Sequence, residues 1–198
     1  MIRVEVATFD TLKYVTENLR EPDRIELSAT AISEDPGFLA EKILATSLMA
    51  FVSRDKVPIT TWGLVPMWPG VGYAFAYGTN DWGRALLTMT KHVNRFMFPV
   101  LLDLGFHRIE CRALAGRTDT GRWLKMFGAV PEACMRSSGK RGEDFILYRW
   151  LRDEHRRQAT NAPGNPDQAG NGRGRSADHR AGDDAATGKP DLQQTVSM

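Results

Sequence analysis

Arg108, Glu110 and Arg112 alternate with Ile109, Cys111 and Ala113 in one short run. On an extended strand successive side chains point to opposite faces, so three charges share one face and three apolar groups the other. A strand between helices is expected to be apolar on both faces. The charged face therefore reads either as the wall of a solvated cleft, with Glu110 as a base or substrate ligand, or as an ion-paired sheet margin. A second place for chemistry is the segment Thr79-Asn80-Asp81-Trp82-Gly83-Arg84. It joins an aromatic-rich strand, 71–77, to a long helix with apolar periodicity. A strand running into a helix start aims free N–H groups and the positive end of the helix dipole at one point, which suits a phosphate or pyrophosphate. Thr79, Asn80, Trp82, Gly83 and Arg84 are the candidate anion-binding residues. Asp81 opposes an anion by charge, while as an N-cap it stabilises the helix.

Other candidates carry less. Arg122, Trp123, Leu124 and Phe127 form the expected buried face of a short helix closed by Gly128, with no nucleophile or base among them. His92, His107, His155 and His179 show no metal-ligand spacing, so no metal site is expected. Gly172-Arg173-Gly174-Arg175 is too short an arginine–glycine run to signal RNA contact, and reads as a solvated linker. Trp62, Met67 and Trp68 mark either an exposed patch or core and rim. Cys111 and Cys134 are read as two free buried thiols.

The elements that must position these residues follow from periodicity and punctuation. Residues 2–8 alternate as a strand; Asp10 is the expected cap of a helix carrying Leu12, Val15 and Leu19. Pro22 opens a second helix with Ile25 and Leu27 as its apolar points, and Asp35-Pro36 is a further start, with Phe38, Ile43, Leu44 and Leu48 inward. Residues 49–53 and 57–65 form a hairpin about Arg54-Asp55-Lys56, followed by a loop over 66–70 and the strand 71–77. The long helix spans about 81–104, kinked or cut at Pro99 and closed by Gly105. A strand over 107–114, a helix from Thr118 or Asp119 to Gly128, and strands over 130–136 and 143–151 complete the order. The sum is a mixed α/β fold, β-α-α-β-β-β-α-β-α-β-β, mostly antiparallel with one parallel crossover and helices on both faces.

Composition sets the limits. The chain has 198 residues and a formal net charge of +2, too mild for a nucleic-acid field. Large apolar side chains nearly vanish after residue 152, so 1–152 reads as one domain and 153–198 as a disordered polar tail. No run approaches the ~20 apolar residues of a membrane span, and no basic start precedes an apolar core, so no membrane association and a cytoplasmic location are expected.

The element order over residues 1–151 resembles the GNAT superfamily of acetyl-CoA-dependent N-acetyltransferases. Gly83-Arg84-Ala85-Leu86-Leu87 is similar to the start of the helix that holds the coenzyme A pyrophosphate in that family. Residues 122–130, RWLKMFGAV, resemble its second signature helix, and 143–148, EDFILY, its final strand. That run, with 18–24, NLREPDR, is also similar to small phage proteins of the internal virion protein A type. The family's pyrophosphate loop places Gln or Arg, Gly, and Gly or Ala where this chain has Gly78, Asp81 and Gly83. Its usual Asn is Arg117 here, and its usual Tyr acid is Leu124. The resemblance implies an acyl-CoA-dependent N-acetyltransferase, with acetyl-CoA as co-substrate and an amine or protein acceptor. Its pyrophosphate would sit at 79–84, its pantetheine arm between strands 71–77 and 107–114, and Glu110 or a water would act as base. The alternative it implies is a silent GNAT fold in a virion core, binding other virion proteins near 62–68 or through the tail, in the host cytoplasm or virion.

Overall fold

Around the hairpin of β2 (Met49–Arg54) and β3 (Pro58–Trp68) the whole sheet is assembled. The computed structural model describes residues 1–153. β1 (Arg3–Val6) pairs antiparallel with β2, and β4 (Val71–Gly78) antiparallel with β3. β5 (Arg108–Leu114) lies parallel to β4; β7 (Phe145–Leu151) is antiparallel to β5, and β6 (Val130–Met135) pairs antiparallel with β7. The seven strands run β1-β2-β3-β4-β5-β7-β6, mixed and mostly antiparallel as the sequence predicts.

Three helices separate β1 from β2, one more than the element string allows: α1 (Phe9–Glu17), α2 (Glu21–Thr30) and α3 (Pro36–Thr46). The cap of α1 is Thr8, whose hydroxyl takes the Thr11 N–H in a capping box; Asp10 lies inside the first turn, and Leu19 lies beyond the helix. Asp35 caps α3 as expected, its Oδ1 accepting the Phe38 N–H at 2.7 Å. Leu39 and Ala40 are the buried residues of α3, whereas Phe38, Leu44 and Leu48 are exposed and Ile43 half-buried, so its inward face is rotated from the expected one. β3 runs through Pro66 and Met67 to Trp68 with a bulge, so the expected loop over 66–70 shrinks to a tight turn at Gly70. Gly70 has φ +80°, and a side chain there would strike the His107 ring.

The long helix is α4 (Trp82–His92), a π-helical turn (Val93–Met97) and α5 (Phe98–Asp103). The π turn takes up the register change ahead of Pro99, which sits in the first turn of α5, so the chain stays helical where a break is expected. Gly105 (φ +91°) closes it. α6 (Thr118–Met126) leads into β6. Leu124 and Phe127 are buried and Trp123 half-buried, but Arg122 is exposed, because its position on the helix turns it away from the sheet.

Two apolar clusters sit on opposite sides of the sheet. One joins Met89, Val93, Met97, Phe98 and Leu101 with Leu124, Phe127, Trp62, Cys111 and Trp150; Ala74 and Ala76 of β4 pack against it. The other joins Leu12 and Ala40 with Val52 and Phe75, and Tyr77 packs against it. Burying each such large side chain stabilises the fold by roughly 1.5–3 kcal/mol. Trp62 is thus core, while Met67 and Trp68 are exposed rim. Cys111 is buried, but Cys134 is exposed on the edge strand β6, against the expectation of two buried thiols. Among the described residues no helix is long and apolar enough to cross a membrane, and no group of three or more His, Cys, Asp or Glu could hold a metal ion. The tail beyond 153, with His155, His179 and the run 172–175, lies outside the described residues.

Candidate active site

β4 and β5 pair over three positions only: Val71 with Arg108, Gly72 with Ile109, Tyr73 with Glu110. Beyond that rung the strands part, although β4 continues to Gly78 and β5 to Leu114. On its far side β5 pairs with β7 along its full length, from Arg108–Leu151 to Leu114–Phe145. The divergence therefore belongs to the β4–β5 seam. A cavity of about 120 Å³ lies there, lined from both faces of the sheet: Tyr73, Tyr77, Arg112 and Glu26 on one side, Met89, Trp123 and Phe127 on the other.

Helix α2 spans the open end of this fork. Arg20 N–H donates to the Gly78 carbonyl at 2.9 Å, and Gly78 N–H donates to Asp23 Oδ2 at 2.8 Å. The Leu114 N–H, at the other arm, donates to Glu26 Oε2 at 3.3 Å. Arg117, at the start of α6, gives its Nη1 to Asp23 Oδ1 at 2.8 Å and to Glu26 Oε2 at 3.0 Å. Arg20 Nε also holds Asp23 at 2.8 Å. One helix thus satisfies the last amide of each diverging strand, amides that a continuous sheet would pair.

The two carboxylates differ. Asp23 takes three donors and its side chain is 2% exposed; Glu26 takes two longer bonds, is 22% exposed and lines the cavity. Burial pushes the Glu26 carboxyl above its ordinary range, with Asp23 adding to the rise and Arg117 opposing it. Tyr73 is pushed up to about 12 by burial, and burial holds the Cys111 thiol well above its ordinary value, as is usual for a structural buried cysteine. Apolar periodicity hides Asp23 and Glu26, because it turns Ile25 and Leu27 of α2 inward. Ile25 is exposed, and the buried residues of α2 are Asp23 and Ala29. The available signal was Arg20, Asp23 and Glu26 at intervals of three, which places all three on one helix face.

Glu110 stands on the last paired rung, at the apex of the fork. Its carboxylate takes Arg108 Nε at 2.5 Å, its side chain is 12% exposed, and it is not among the cavity's lining residues. Arg108 also pairs with Glu132 on β6, and Arg149 joins Glu132 at 3.1 Å. The charged face of β5 is thus an ion-paired margin at Arg108 and Glu110, and a cavity wall at Arg112.

The expected anion seat over 79–84 is the start of α4. No side chain caps α4, and the space over Gly83 is open. Thr79 Oγ1 accepts the Asp81 N–H, and the Thr79 carbonyl accepts the Trp82 N–H. The Arg84 N–H is taken by the Asp81 carbonyl at 2.9 Å. The Arg84 guanidinium is held by Asp81 at 3.3 Å and Asp55 at 3.0 Å, so its charge is matched twice over. Trp82 turns inward: its ring packs on Gly78, lies under the Arg20 guanidinium at 4.2 Å, and meets Trp123 edge to face at 5.5 Å. The two indoles join α4 to α6.

No protein-family model matches the sequence, and no curated protein matches it. Solved structures do match. The ribosomal-protein-S5-alanine acetyltransferase of Vibrio fischeri superposes with a TM-score of 0.56 at 18% identity, over 77% of this chain and 93% of its own. Salmonella typhimurium yncA, solved with its cofactor acetyl-CoA, gives 0.58 at 14% identity, over 76% and 94%. A GNAT-family acetyltransferase of Bacillus anthracis gives 0.54 at 14% identity, over 77% and 95%. The fold is that of the GNAT acetyltransferases. Arg117, where the resemblance expects an Asn, ties α2 to the fork. Leu124, where the resemblance expects a Tyr, is buried in the core.

Proposed function

We propose that the chain is an acyl-CoA-dependent N-acyltransferase working at the β4–β5 fork. The divergence of these strands about a lined cavity carries the reading. An acyl thioester needs a slot in which main-chain groups, freed from sheet pairing, can face its carbonyl. The β4 segment beyond Tyr73 offers that edge. The residues fit the thioester end well: the cavity is apolar on its α4–α6 side and opens through the sheet to a carboxylate. For the pyrophosphate end, Thr79, Asn80, Trp82, Gly83 and Arg84 frame an uncapped helix start with room over Gly83, and Arg84 must leave Asp81 and Asp55 to serve it.

The thioester supplies an activated acyl group; this chain supplies position and a base. Glu26 is the cavity-lining carboxylate, so it is our choice for taking the proton of the incoming ammonium; Glu110, held by Arg108 at the apex, is the competing assignment. The amine nitrogen then bonds to the acyl carbon as the carbon–sulfur bond breaks. Its second proton goes to the departing thiolate, and Glu26 returns its own to solvent. The products are an amide, free coenzyme A thiol and one proton.

The test is thiol release from acetyl-CoA with pooled primary amines, alongside calorimetric titration of the full chain. Amine-dependent release with saturable heat supports the reading. Neither heat nor thiol at millimolar acetyl-CoA would end it.

Two observations favour a second reading. The Trp82–Trp123 contact and the doubly paired Arg84 suit a GNAT fold kept as a binding module, as in the virion role that the phage resemblance implies. That reading expects the titration to be flat.

A further inference from the structure

The cavity presents a second charged group besides Glu26, and the acyl-transfer chemistry above gives it no task. Arg112 lines the cavity from β5, with its guanidinium 5.8 Å from the centre of the Tyr73 ring. Its Nε is buried and has no hydrogen-bond partner. Other partly buried arginines are committed: Arg20 to Asp23, Arg54 to Glu5, Arg108 to Glu110, Arg117 to Asp23 and Glu26, Arg149 to Glu132, Arg152 to the Leu102 carbonyl. Among the described residues Arg112 alone of this class has neither a carboxylate nor a carbonyl partner. A guanidinium cannot shed its charge, and a buried donor without an acceptor is costly, so such a group is suited to an acceptor brought by a ligand. A planar fork of N–H groups matches a carboxylate through two parallel bonds.

Glu26, Tyr73 and Arg112 line the same cavity, with the Tyr73 ring beside the guanidinium. The α2 side of the cavity therefore offers a carboxylate and a guanidinium about one small ligand. We infer that the acceptor is a small amine carrying its own carboxylate, such as an amino acid, with its nitrogen toward Glu26 and its carboxylate on Arg112. This rests on the acyl-transfer reading and names its substrate class. An amine without an anionic group leaves Arg112 Nε unpaired, and sites built to hydrogen-bond a substrate group discriminate strongly against analogues that lack it.

The experiment pairs each of several amino acids with its decarboxylated amine, using acetyl-CoA and the full chain, for wild type, Arg112→Met and Arg112→Lys. A second arm titrates N-acetyl amino acids, the expected products, into the protein without acetyl-CoA. The inference expects kcat/KM to favour the carboxylated member at least tenfold. Arg112→Met should remove the preference and weaken N-acetyl amino acid binding about tenfold or more, with Arg112→Lys in between. Equal use of both members, or a preference that survives Arg112→Met in a variant with wild-type circular dichroism, overturns the inference and leaves acyl transfer standing. No transfer to any acceptor and no heat with acetyl-CoA removes the underlying reading, and this inference with it.

Discussion

Gly78 and Leu114, the last residues of two strands that have parted, both give their backbone N–H to carboxylates of a single helix turn, at 2.8 and 3.3 Å. Arg117 locks those carboxylates together. The strut explains how a sheet can stay open at one seam without orphaned amides. Arg117→Leu should therefore destabilise the fold by about 3–5 kcal/mol, the usual cost of stranding a buried carboxylate. Urea denaturation measures this; a loss under about 1 kcal/mol would mean that α2 does not hold the fork.

Trp82 and Trp123 bridge α4 and α6, and Trp123 lines the cavity proposed for the thioester. Trp82→Ala removes the bridge and the lid over Gly78 together. The expected result is tighter coenzyme A binding, by about threefold or more, with a stability loss of about 1–3 kcal/mol from the lost burial. Unchanged affinity by calorimetry would show that the indoles do not compete with the ligand.

The fold was legible because its signals are local. The hairpin about 54–56, the Asp35 cap and the closing Gly105 each depend on neighbours in sequence, and the structure shows all three. The uncapped α4 start was legible as a position, but not the fate of its groups. Arg84 meets Asp55 across 29 positions, and the Trp82 ring finds Trp123, contacts that no window of sequence contains. The same holds for α2. Its inward residue is a charged Asp23, which apolar periodicity turns outward, because the partners that offset its burial are 55 and 94 residues away.

Glu26 sets a pH signature. Its carboxyl is raised by burial, with Arg117 opposing and Asp23 adding, and Tyr73, Tyr77, Cys111 and Arg112 complete the ionisable groups that line the cavity. A base works when deprotonated, so kcat/KM should rise with pH through a midpoint above the ordinary 4.5. Glu26→Gln should lower the rate by roughly 10²–10⁴ and flatten this limb, while Glu110→Gln should change it by less than about threefold. A large loss in Glu110→Gln with a retained limb in Glu26→Gln would move the base to the apex of the fork.

His92 makes a separate stability prediction. It is ringed by Phe51, Trp62 and Phe96 with centroids 4.5, 5.4 and 5.0 Å away, and its buried Nδ1 has no partner. Burial lowers its folded pKa below 6.5, so the folded state binds this proton less readily than the unfolded one. Its contribution is full above 6.5 and is lost as pH falls toward the folded value. His92→Phe should reduce the drop in melting temperature between pH 7 and pH 5. An identical drop in the variant would assign that acid sensitivity to other groups.

The most direct measurement is a diffraction structure of the full chain grown with millimolar acetyl-CoA. The account predicts the thioester between β4 beyond Tyr73 and β5 beyond Glu110, with Arg84 released from Asp81 and Asp55. Coenzyme density elsewhere on the protein, or a fork unchanged at saturating ligand, would contradict it.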